Sequence, residues 1–161
     1  MYSIKEIIIE QLELAKMNIA NNMVVQNRRA SGRSIAEMKI QADDTKGVLI
    51  DGAGYLFASE YGSRPSQKTT RPPKAMVDSI ERWTLIKGIT AANGNQRSLA
   101  YAISTKLLKE GNVLYRSGKN SGVITEAVNQ EWLNDTAAKF GDYYVSLIKS
   151  EVIRNTTATV I

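Results

Sequence analysis

The sequence predicts an α+β fold: a long N-terminal helix, a small antiparallel sheet, and three further helices, one of them a long C-terminal helix. Three observations carry that prediction. Apolar residues recur at three- and four-residue spacing from Ser3 to Asn27. The stretch Ile35 to Ala42 alternates apolar and polar residues, as a strand with one wet face does. Helical spacing then returns in three later segments.

In the first segment Ile4, Ile7, Ile8, Leu12, Ala15, Ile19 and Met23 form the apolar stripe. Ser3 followed three residues later by Glu6 has the form of a capping box. The opposite face carries Glu6, Glu10 and Glu13. A basic linker with Arg28, Arg29 and Arg33 around Gly32 follows. In the first strand Ala36, Met38 and Ile40 face one way, and Glu37, Lys39 and Gln41 the other. Asp43 to Gly47 is turn-like, and Val48 to Ile50 completes an antiparallel hairpin that Gly52 and Gly54 end.

Tyr55 to Tyr61 is short, apolar and aromatic. Gly62 to Pro73 holds all three prolines with Arg64, Lys68 and Arg71, and reads as a long loop. Pro72 and Pro73 suit a helix start, since a proline at the first helical position forfeits no hydrogen bond. The helix they open is expected over Lys74 to Lys87, with Met76, Val77, Ile80, Trp83 and Leu85 inward. The next is expected over Gln96 to Glu110, with Leu99, Ala102, Ile103, Leu107 and Leu108 as its stripe and Gly111 as its stop. Asn112 to Gly122 reads as irregular. The last helix is expected from Thr125 to Asn155, with Val128, Trp132, Thr136, Phe140, Tyr144, Leu147 and Glu151 in register. One of the adjacent Tyr143 and Tyr144 must face away from that stripe.

The 161 residues, 43% of them apolar, suffice for one domain with a real core. Residues 1–89 form an α+β part, and residues 90–161 a helical extension packed on it. The chain has no Cys and no His. That excludes a disulfide framework, a Cys/His zinc site, a Ser-His-Asp triad and an imidazole base. Met1 to Glu10 mixes Ile7, Ile8 and Ile9 with Lys5, Glu6 and Glu10, unlike a signal peptide, and no apolar run is long enough to span a membrane. The net charge of +5, from 21 basic and 16 acidic residues, suits a solubility charge as well as a polyanionic partner.

Few constellations carry chemistry. Asp43 and Asp44, with Asp51, could hold a metal, but two adjacent acids beside Thr45 and Gly47 read as a solvated hairpin turn, and the calcium-loop pattern is absent. Glu60 has no second acid at a defined spacing, and is expected to hydrogen-bond backbone or to pair with an arginine. Neither glycine cluster, at Gly52 to Gly54 or at Gly118 to Gly122, matches a phosphate loop. No residue pair has catalytic spacing, so the chain is not expected to be an enzyme and no cofactor or metal is assigned. The basic linkers, Arg28, Arg29 and Arg33 in one and Arg64, Lys68, Arg71 and Lys74 in the other, fit three readings: a subunit interface, nucleic acid, or solvated charge. No interleaved aromatics mark a single-strand platform.

The order of the pieces resembles the tail-completion and neck proteins of tailed bacteriophages, the small head–tail joining family. The first helix is followed by Ser31, Gly32, Ser34 and Ile35, a loose match to that family's first segment. Tyr55, Glu60, Tyr61, Gly62 and Ser63 match its second segment well, and Pro72 and Pro73 stand before a helix as its prolines do. The likeness covers roughly residues 1–85, and the long C-terminal part departs from it. The resemblance implies a structural virion protein, made in the bacterial host cytoplasm and built into the neck. It implies copies of the chain in a six- or twelve-fold ring around the DNA channel, adjoining portal-side and tail-side proteins, with only non-specific contact to packaged DNA and none to a membrane. Glu6, Glu10 and Glu13 on one side and the Arg/Lys loop, with Glu60 and Tyr61 beside it, are the candidate interface or channel residues. The alternative reading is a nucleic-acid-binding accessory protein that uses its Arg/Lys-rich loops.

Overall fold

A computed structural model describes residues 3–28, 32–51, 54–66, 71–92 and 94–158. Among them the chain forms helices α1 (Ile4–Val25), α2 (Arg33–Ala36), α3 (Leu56–Tyr61), α4 (Lys74–Ile86), α5 (Gln96–Glu110), α6 (Val113–Ser117) and α7 (Gln130–Ala158), and strands β1 (Met38–Ala42) and β2 (Gly47–Asp51). The α+β class therefore holds, with helix dominant.

Local chemistry sets the helix starts. Ser3 and Glu6 close a reciprocal capping box: Ser3 Oγ accepts from Glu6 N at 3.2 Å, and Glu6 Oε2 accepts from Ser3 N at 2.7 Å. Asn95, Asn112 and Asn129 each accept from the backbone N–H three residues on, at 3.0, 2.9 and 2.9 Å. Pro73 is the N-cap of α4. The strands pair antiparallel, with Ile40 opposite Leu49 and Ala42 opposite Gly47. Their inner face lies on α1. A β-carbon at Gly47 would run into Ile8 and Leu12, so only a glycine lets the hairpin sit this close.

The core joins Ile19 and Met23 of α1, Met38 of β1 and Leu56 of α3 to Val123 and Ala127. Val123 and Ala127 stand on the turn before α7, so the C-terminal part supplies the centre of the core. Asn22 Nδ2 donates to the Val123 carbonyl at 3.2 Å and ties that turn to α1. Helix α7 then runs antiparallel to α1. Trp132 Nε1 donates to the Gln11 carbonyl at 3.3 Å, Thr136 Oγ1 to Gln11 Oε1 at 3.1 Å, and Lys139 Nζ to Glu10. Across the other side, Arg97 of α5 bridges Asp78 and Glu81 of α4.

Several sequence expectations need correction. Ile35 and Ala36 belong to the short helix α2, because the left-handed Gly32 (φ 78°) starts a helical turn before the strand. Asn112 to Gly122 is not wholly irregular: the Asn112 cap opens α6. Helix α7 begins at Gln130, where Asn129 caps it, and not at Thr125. On α4 the buried residues are Val77 and Thr84, while Trp83 and Leu85 are exposed. On α5 they are Ala100 and Ser104, with Ala102 exposed. On α7 Tyr144 points outward and Tyr143 is half-buried.

Candidate functional site

Glu60 is the one charged residue among the described residues that is fully buried. It sits on the last turn of α3 with no exposed surface. Its Oε2 accepts from Ile124 N at 2.8 Å and from Ser121 Oγ at 3.1 Å, and its Oε1 accepts from Thr125 Oγ1 at 2.9 Å. Its carbonyl accepts from Ser121 N at 2.8 Å. Burial pushes the carboxyl upward, but the donors of Ile124, Thr125 and Ser121 outweigh it and hold the group below the usual carboxylate range. Of the two sequence expectations for Glu60, backbone bonding is what the structure gives, with two hydroxyls added and no arginine. Glu60 is thus an internal clamp between α3 and the turn before α7, and offers nothing to a neighbouring subunit or to DNA.

The rest of that segment has divided duties. Leu56 enters the core, whereas Phe57 and Tyr61 stack on each other at the surface, ring centroids 6.3 Å apart. Gly62 (φ 81°) ends α3 beneath α6, where a β-carbon would meet Asn112 Oδ1 and the Tyr115 backbone. Asn112 N donates to the Ser63 carbonyl at 2.9 Å and Ser66 N to the Leu108 carbonyl at 2.8 Å, so the start of the proline loop is stitched to the α5–α6 corner.

Several of the charged candidates among the described residues are engaged within the chain. Glu6 serves the α1 cap, Glu10 pairs with Lys139, and Glu13 is exposed. Arg33 pairs with Glu37 at 2.5 Å and Lys74 with Asp78 at 3.6 Å. Arg64 and Arg71 are exposed on the loop. Arg29 and Lys68 lie outside the described residues. Arg28 is half-buried: its Nε donates to Gln26 Oε1 and its Nη1 to the Ser59 carbonyl, both at 3.0 Å. Asp43 accepts from Thr45 N and Oγ1 and from Lys46 N, which makes it the acceptor of the hairpin turn. Among the described residues no group of three acids could hold a metal ion, and no helix is long and apolar enough to cross a membrane.

Two features escaped the sequence. The first is a cleft of about 750 Å³ between the C-terminal end of α1, α2, α3 and α4. Arg28, Arg33, Arg82 and Lys87 line it together with Tyr55 and Trp83, and none of its described lining residues is acidic. These residues come from three segments far apart in the chain. Arg82 and Lys87 stood in what read as an ordinary amphipathic helix.

The second is the far end of α7. Helix α1 starts seven residues before Gln11, whereas α7 runs on for 22 residues after Thr136. At about 1.5 Å per residue, α7 outreaches α1 by roughly 20 Å. Tyr144, Val145, Ile148, Val152 and Ile153 lie on this stretch, each about half exposed or more. Their three- and four-residue spacing was visible, but an apolar stripe reads the same whether its own chain or another covers it.

Comparison with family models, with curated proteins and with solved structures returns no match for this chain.

Proposed function

We propose that the chain is a structural subunit of a homo-oligomeric ring in the head–tail neck of a tailed phage, where it joins portal-side and tail-side components. The reading starts from the resemblance in residues 1–85. The observation that supports it best is the outreaching end of α7, where Tyr144, Val145, Ile148 and Val152 stand exposed. A contiguous apolar stripe of this kind is rarely left wet on a monomer and marks a contact with another chain. A ring needs two unlike patches per subunit, one meeting the other around the circle. The end of α7 serves as the first, and the body of the next subunit supplies the second. The work is assembly rather than covalent chemistry. Arg64 and Arg71 on the proline loop stand at the seam with a neighbour, and Lys and Arg side chains facing the channel touch DNA phosphates without sequence preference.

The test is native mass against concentration for the full chain and for the triple variant Val145→Asn, Ile148→Asn, Val152→Asn. The unaltered chain should form a closed oligomer visible as a ring in negative stain. The variant should run as a monomer with an unchanged far-ultraviolet spectrum, since these side chains lie outside the core. An unaltered chain that stays monomeric at every concentration, or a variant that assembles equally well, overturns the reading. Charge reversal at Arg64 and Arg71 together should weaken assembly, and full assembly after both changes removes the loop from the interface.

A further inference from the structure

We propose that the cleft between α1, α2, α3 and α4 binds a nucleoside phosphate, either a free nucleotide or one unit of a single strand. Its volume of about 750 Å³ falls among small-ligand pockets, which enclose about 300–1,000 Å³. Four cationic side chains reach it from two directions: Arg28 and Arg33 from the α1–α2 corner, Arg82 and Lys87 from α4 and its end. Glu37 balances Arg33 in part. Arg28 is held by two neutral oxygens, Gln26 Oε1 and the Ser59 carbonyl, which fix the guanidinium and leave its charge intact. Lys87 Nζ donates to Asn27 O at 2.6 Å and to Asn27 Oδ1 at 2.8 Å, and so ties the end of α4 to the residue that leaves α1 in the left-handed region (φ 53°). The positive rim is therefore built before any ligand arrives.

The aromatic side chains decide what kind of anion fits. Trp83 is 38% exposed and Tyr55 56% exposed, so neither is consumed by the core. An acidic peptide would answer the cations and leave those rings without a counterpart. A nucleotide answers both, its base against an aromatic face and its phosphate on the guanidinium forks. A base within a duplex is stacked on its neighbours and has no free face to offer. Pairing of cations with stacking rings is the arrangement used for single strands, and here the fold assembles it from distant segments.

Fluorescence anisotropy of a labelled short thymidine oligonucleotide, titrated with the full chain, tests this, with unlabelled AMP and a blunt-ended two-strand duplex as competitors. The single strand should bind, and AMP should displace it. The duplex should compete at least tenfold less well. Trp83→Leu keeps an apolar side chain there but removes the stacking face, and should weaken binding about tenfold or more. Arg82→Ala should weaken it and lower the slope of log affinity against log salt by about one. Lys106→Ala, an exposed cation of α5 away from the cleft, should change neither. Circular dichroism melts of each variant separate lost binding from lost fold, and Arg82→Lys, which keeps the charge, should retain the salt slope. No binding of the single strand, a duplex that competes equally, displacement by polyglutamate but not by AMP, or binding indifferent to both Trp83→Leu and Arg82→Ala overturns the proposal.

Discussion

Replacing Glu60 tests whether the chain hangs on an internal clamp. Glu60→Ala leaves the Ile124 N–H and the Ser121 hydroxyl, both on half-buried residues, without their acceptor, while the Thr125 hydroxyl lies near the surface and can turn to water. Each stranded buried donor costs about 1–3 kcal/mol. The two together come to about 2–6 kcal/mol, and the void left by the side chain adds to this. Against a typical domain stability of about 5–15 kcal/mol, that change brings the chain near unfolding. Glu60→Gln behaves differently. One oxygen still accepts from Ile124 and Ser121, and the Thr125 hydroxyl can reverse and accept from the new amide. Only the charge assistance is lost, about 1–2 kcal/mol.

Urea denaturation followed by tryptophan fluorescence reads both, with the midpoint shift multiplied by a common slope giving the difference. The order unaltered chain, then Gln, then Ala is the expected result. The pH dependence gives an independent sign. The folded carboxyl titrates below its unfolded value of about 4.3, so its contribution is complete above that pH and is lost as pH falls through the folded value. Below about pH 4.3 the unaltered chain should therefore lose more stability than Glu60→Gln does. Alanine and glutamine variants equal within about 0.5 kcal/mol would refute the clamp, since the stranded-donor penalty is what separates them.

Other substitutions probe single contacts. Gln11 is buried, and its Nε2 has no partner while its Oε1 holds Thr136, which also donates to the Trp132 carbonyl at 2.7 Å. Gln11→Met should therefore be neutral or stabilise by up to about 1 kcal/mol in the same urea assay, as replacing an unsatisfied buried amide by an apolar group does. Gly62→Ala should lower the melting temperature by several degrees, because φ 81° with ψ 174° is a conformation essentially reserved for glycine, costing an alanine about 1–3 kcal/mol, and its β-carbon also strikes α6. Gly47→Ala should destabilise by about 1–3 kcal/mol by forcing Ile8 and Leu12 aside, and adding Ile8→Ala, which removes the Cγ2 that the new β-carbon strikes, should cost less than the two single losses summed. Ser3→Ala should cost about 1 kcal/mol and increase amide exchange in the first turn of α1 only.

What the sequence determined by itself was local. The capping box at Ser3 and Glu6, the turn around Asp43, the limits of α5 and the proline start of α4 all follow from chemistry between residues a few positions apart. Such signals survive any tertiary arrangement. Burial within a helix was less legible. Gln11, Thr84 and Ser104 are inside, whereas Trp83 and Tyr144 are outside, because a face is buried only where another element covers it. Thr84 Oγ1 can go inside because it donates to the Glu81 carbonyl and accepts from Gln96 Nε2, a partner on the next helix. Tertiary structure alone decided the roles of the charged residues. The separation of acidic helix and basic linkers, plain along the chain, is partly cancelled once Glu10 meets Lys139 and Lys74 meets Asp78. It also gave Glu60 an inward duty by bringing Ser121, Ile124 and Thr125 to it across more than 60 residues. The cleft is of the same kind: Arg28 and Arg82 line it together only because the ends of α1 and α4 meet, where Lys87 bonds Asn27. Spacing along the chain reports which residues share an element; which elements share a surface depends on packing over distances that no local pattern encodes.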